Sequence, residues 1–116
     1  MQERSKPLIG ILAKPLPDGD MWSYMHIVDN IRYVLVKQGA LVVGILPTDQ
    51  TLEFKKDEEL DDTQLSKIEK QDLGEILDTL DGVVLQGGLN NNQYEIEVAK
   101  YCVEKRNSNY GNLFRI

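Results

Sequence analysis

A chain of 116 residues that is 41% hydrophobic and 28% charged can build one modest core, and it is not disordered by composition. Its formal net charge of -6 excludes a binder of phosphate backbones, which needs clustered Lys and Arg, and argues against an anionic membrane surface. The single cysteine, Cys102, excludes an intramolecular disulfide, speaks against a cysteine metal cluster and fits a reducing cytoplasm.

Along the chain, the first apolar run is residues 8–13. It is too short for a signal h-region with its cleavage site, and far too short to span a bilayer. Together with residues 40–46 and 82–86 it reads as a strand buried on both faces, because these runs are continuous rather than alternating. Between the first two, Tyr24, Ile27, Val28, Ile31, Val34 and Leu35 recur at helical spacing and predict one amphipathic helix. Asp20 or Ser23 can cap its start, Gly39 suits the left-handed residue that ends it, and Pro47 closes the next strand. His26, the only histidine, falls early on that helix.

Residues 49–72 are polar and acidic, with "KKDEELDD" at their centre. The acids alternate with lysines at no cation-ligand spacing, so the stretch reads as a solvated excursion rather than a metal site. Leu73, Ile76, Leu77 and Leu80 then predict a short helix leading into the third strand. A last helix opens at Asn92, with Glu95 three residues on as a capping-box-like pair. Tyr94, Val98, Ala99 and Cys102 lie along one of its faces.

Alternation of this kind predicts an α/β chain: a three-layer, flavodoxin-like partial domain over residues 1–116, its parallel sheet joined by right-handed crossovers. The preferred strand order is two-one-three. The third strand ends in "QGGLNNN". Gly87 and Gly88 there are either a turn needing positive φ, or backbone amides left bare so that a negative charge can approach. Neither the Gly-x-x-x-x-Gly-Lys-Ser/Thr nor the Gly-x-Gly-x-x-Gly arrangement is present, so a nucleotide site has little support. The first strand ends in "LAKPLPDG" and lacks the acidic pair of a phosphoacceptor domain.

Three motifs occur in order: "PLIGI" at residues 7–11, Tyr24 followed by "YVLVKQGA" and "VVGILP", and "LDGVVLQGG" followed by Tyr94 and Glu95. Over about residues 6–104 the set resembles the amino-terminal half of the gamma-glutamyl-gamma-aminobutyrate hydrolase family, within the class I glutamine amidotransferase-like fold. The resemblance implies a Cys-His-Glu triad acting on a small gamma-glutamyl substrate with no cofactor or metal. The nucleophile would stand on a Gly-x-Cys-x-Gly elbow after a fourth strand. Gly87 and Gly88 match the oxyanion positions, and Asn90 and Tyr94 are candidate substrate contacts. Asn90, Asn91 and Asn92 would serve equally well as loop and cap residues.

The pattern then fails. No Gly-x-Cys-x-Gly occurs, and Cys102 lies within a predicted helix, where a cysteine is usually an inert small hydrophobe. His26 precedes any elbow, so it does not match the triad histidine. No catalytic residue is assigned, and amide hydrolysis by this chain alone is not expected. The resemblance ends near Lys105, which suggests that "RNSNYGNLFRI" is an out-of-frame or truncated continuation. A third strand without its neighbour exposes an apolar edge. Either residues 112–116 occupy that place as a short fourth strand, or the edge forms a homo-oligomer. The alternative to a hydrolase half is a non-catalytic α/β oligomerisation or interaction module.

Overall fold

The computed structural model describes residues 5–16, 24–50, 64–86, 93–106 and 112–115. In chain order the elements are β1 (Leu8–Leu12), β2 (Lys14–Leu16), β3 (Tyr24–His26), α1 (Asp29–Lys37), β4 (Leu41–Ile45), α2 (Lys67–Leu77), β5 (Gly82–Leu85), α3 (Gln93–Arg106) and β6 (Asn112–Arg115). The main sheet is parallel in the order β4-β1-β5-β6, and β2 pairs antiparallel with β3 in a separate ribbon. The protein is thus α/β, with the three long apolar runs in the order two-one-three. The tail supplies a fourth strand, pairing Gly82 with Asn112 through to Leu85 with Arg115.

Period-two alternation divides the core between two faces. Ile9, Ile11 and Val84 pack with Ile31 of α1 on one side. Leu12, Val83 and Leu85 pack on the other with Leu73 and Leu77 of α2 and with Tyr94, Val98 and Cys102 of α3. β1 and β5 are therefore covered on both faces, as their unbroken apolar sequence requires. β4 departs from that expectation, since Leu41 and Val43 are 44% and 40% exposed. It stands at the end of the described strand order, where only one side is paired. Gly10 faces α2 and α3; a Cβ there would come within 2.6 Å of Ile45 and 2.7 Å of Leu80. The bare backbone lets those two side chains meet over the middle of β1.

The first helix corrects the sequence reading at its start. It begins at Asp29, with Val28 in the N-cap position and no side-chain cap bond. Asp20 and Ser23 lie outside the described residues. Tyr24 and His26 belong to β3, not to the helix, because residues 24–26 pair with residues 14–16 before the helix opens. Of the predicted apolar stripe, Ile31 is buried, whereas Val28 and Val34 are 44% and 51% exposed. The helix ends as expected, at Gly39 with φ of +96°.

The second correction falls in the acidic excursion. Residues 67–72 are helical, and α2 opens at Ser66, whose side chain accepts from the Glu69 amide at 3.0 Å. Residues 53–62, the most acidic part, lie outside the described residues. Among the described residues no helix is long and apolar enough to cross a membrane.

Candidate functional site

In an open α/β sheet, ligands bind outside the carboxyl ends of the strands, at the point where the strand order reverses. Here the chain leaves β1 for β4 on one side and later returns to β5 on the other, so that point lies between β1 and β5. Residues from seven elements or their connections converge on this end of the sheet, tied by two buried polar side chains.

The first is Gln86, directly after β5 and only 2% exposed. Its Nε2 donates to Leu12 O at 2.9 Å and to His26 O at 3.0 Å, while its Oε1 accepts from Val28 N at 2.8 Å. Both amide hydrogens are used, and each joins a different segment. The end of β1, the end of β3 and the start of α1 are thereby stapled to the strand end that continues into Gly87. A neutral amide can do this in the interior, where a charge would carry a large desolvation penalty.

The second is Glu69, on the first turn of α2 and also 2% exposed. Its Oε2 accepts from Thr48 N at 2.8 Å, Thr48 Oγ1 at 2.8 Å and Asp49 N at 2.9 Å, and its Oε1 accepts from the Tyr94 hydroxyl. One carboxylate therefore gathers the loop after β4 and the first turns of α2 and α3. A buried carboxylate is tolerated when its acceptor sites are filled in this way. Ser66 and Glu69 have capping-box spacing, yet only half of the box forms in this way: the Ser66 hydroxyl caps Glu69 N, while the Glu69 carboxylate reaches across to Thr48, Asp49 and Tyr94.

Tyr94 is 1% exposed, and its hydroxyl is committed inward to Glu69. Burial pushes its ionisation far above the ordinary phenol range, and the Glu69 carboxylate acts in the same direction. Gly87, Gly88 and Asn90 lie outside the described residues. Cys102 is buried on α3, and that burial pushes its thiol up to about 11, opposite to the shift that activates a nucleophile. His26 lies on β3 opposite Lys14, and the Lys14 ammonium stands 3.6 Å from Glu95 of α3. Among the described residues no group of three or more His, Cys, Asp and Glu could hold a metal ion.

Sequence reasoning missed the roles of Gln86, Glu69 and Lys14. Ser66 and Glu69 carried a legible signal, a Ser-x-x-Glu spacing ahead of Leu73 and Leu77. Gln86 carried none, because its partners stand 58 to 74 residues away in the chain. Neither family models, nor curated proteins, nor solved structures give a match to this chain, so the site is read from its own geometry.

Proposed function

We propose that this chain is the amino-terminal half of a gamma-glutamyl amide hydrolase of the class I glutamine amidotransferase-like type, bearing the oxyanion side of an acyl-transfer site without its nucleophile. The observation that carries the reading is the Gln86 clamp. It fixes the backbone immediately ahead of Gly87 and Gly88 to β1, β3 and α1. Amide donors stabilise a developing oxyanion only when held in place beforehand, and each such donor is worth about 3 kcal/mol in a dry site.

In a complete enzyme of this type a thiolate attacks the gamma-carbonyl carbon of the substrate amide. The C–N bond breaks as the amine leaves with a proton, and water then cleaves the acyl-enzyme to release glutamate and regenerate the thiol. Gly87 and Gly88 would hold the carbonyl oxygen through both steps, with Asn90 near the glutamyl group. This chain supplies no elbow cysteine, and Cys102 is too buried and too weakly acidic to replace it. A reducing cytoplasm, in which that thiol stays free, is the assigned compartment.

Titration of the isotopically labelled chain with L-glutamine tests the reading. Saturable shifts at the Gly87 and Gly88 amides, without hydrolysis, are expected. Unaided cleavage of a gamma-glutamyl amide, or no response at those two amides, would overturn it.

A second reading, a non-catalytic α/β interaction module, is favoured by β6, which takes the fourth-strand place beside β5. The two separate on complementation. If a polypeptide encoded downstream bears Gly-x-Cys-x-Gly and restores hydrolysis when mixed with this chain, the module reading falls.

A further inference from the structure

β4 ends the described strand order, and nothing in its sequence guards its outer edge. Leu41 N donates to Pro7 O at 2.9 Å and Ile45 O accepts from Ala13 N at 3.0 Å, so residues 41, 43 and 45 turn their backbone groups toward β1. Alternation then sends the N–H and C=O groups of Val42 and Gly44 outward, and no strand meets them among the described residues. Leu41 and Val43 beside them are 44% and 40% exposed. Strand edges are ordinarily blunted by a charge, a proline or a bulge within the strand. β4 has none of these: no charged residue occurs from Gln38 to Thr48, and the ladder to β1 runs unbroken from Leu41 to Ile45. β6, at the other end of the order, includes Arg115.

Charge identifies what fits this edge. A chain of net charge -6 approaches a copy of itself with least repulsion through a stretch that carries no charge. We propose that β4 pairs with β4 of a second copy, antiparallel about a two-fold axis at Val43, so that one continuous sheet crosses the interface. In that register Val42 of each copy faces Gly44 of the other, and their outward N–H and C=O groups exchange hydrogen bonds. Val43 meets its own counterpart, and Leu41 meets Ile45. The amino end of each β4, entered from Lys37, lies beside the carboxyl end of the other, which leads on to Asp49. Lys37 and Asp49 are equidistant from Val43 in the chain, so opposite charges flank the pair at both ends. This surface goes beyond the acyl-transfer reading, because it lies on the far side of β4 from the crevice between β1 and β5 and leaves that site open. The homo-oligomer expected at the third apolar strand moves to the second, since β6 occupies the edge of β5. Two short strands with their flanks bury less than the about 1,200 Å² of a standard interface, so a dissociation constant of about 10–100 µM is expected.

Sedimentation equilibrium of the full chain tests the pairing. Between about 5 µM and about 1 mM, the mass should climb from near the 13.2 kDa of one chain toward twice that value. Val43→Lys and Val43→Glu each set like charges against one another at the axis and should weaken the dimer about tenfold or more. Their equimolar mixture should recover it, with circular dichroism reporting that both variants are folded. Without any variant, hydrogen exchange at the Val42 and Gly44 amides should slow several-fold over the same concentrations, while the Leu41 amide, bonded to Pro7, should not change. A monomer throughout that range overturns the proposal, whether the edge stays open or another segment of the chain covers it. An undiminished dimer in a folded Val43→Lys also overturns it, as does a dimer in which Val42 and Gly44 exchange at the monomer's rate. Folded charge variants that do not recover on mixing overturn the two-fold at Val43.

Discussion

At Cys102, burial decides chemistry. The thiol packs with Leu73, Leu77, Tyr94 and Val98 in the larger core cluster and is 6% exposed. Folded, it holds its proton until about pH 11, against an ordinary value of 9.0. Between those limits the folded state binds more protons than the unfolded state, so stability must fall as pH rises through this window. A displacement of this size corresponds to about 2–3 kcal/mol. Urea unfolding at about pH 8 and about pH 10.5 should show that loss, and Cys102→Ala should lose clearly less over the same interval. Equal losses in the two proteins would mean that the thiol ionises freely in the folded state. This burial was legible from the spacing of Tyr94, Val98 and Cys102, because residues three and four apart share a helix face. The inward turn of the Tyr94 hydroxyl was not, since its acceptor sits on another helix.

Among the elements, α2 and α3 meet the loop after β4 through Glu69, and this junction is polar at its centre. Glu69→Ala would strip the acceptor from Thr48 N, Asp49 N and the Tyr94 hydroxyl together. Each buried donor left unmet costs about 1–3 kcal/mol, so a loss above about 3 kcal/mol is expected in chemical denaturation. Glu69→Gln keeps an acceptor for the two amides and can donate to Tyr94, so its loss should stay within about 1.5 kcal/mol. Similar small losses in both variants would show that water replaces the carboxylate. The start of α1 teaches the opposite lesson about pattern. Apolar residues from Tyr24 to Leu35 fit a helical period, yet Gln86 holds His26 O and Val28 N, and the chain is extended until Val28. Periodicity reports which residues can share a face, and a distant side chain can still claim the backbone first.

For the whole molecule, β6 covers the edge of the most deeply buried strand. All four residues of β5 are buried, so an uncovered edge there would offer unpaired backbone flanked by apolar surface. Self-association through this strand, proposed from the sequence, therefore requires β6 to leave. Deleting residues 107–116 should raise the particle mass above that of the intact chain in light scattering at micromolar concentration. A deletion variant that keeps the intact chain's oligomeric state and stability would show that β6 protects nothing.

The three long apolar strands, the apolar cores of β1 and β5, the buried face of α3 and the left-handed stop at Gly39 follow from residues near one another in the chain. Local sterics and hydrophobic periods of two and 3.6 are sufficient to specify them. The Gln86 clamp, the Glu69 junction, the extended β3 and the pairing of Lys14 with His26 and Glu95 arise only once the chain has folded back on itself. A buried polar group takes whichever partner the packed chain brings within reach, and nothing in its neighbouring residues specifies which one that will be.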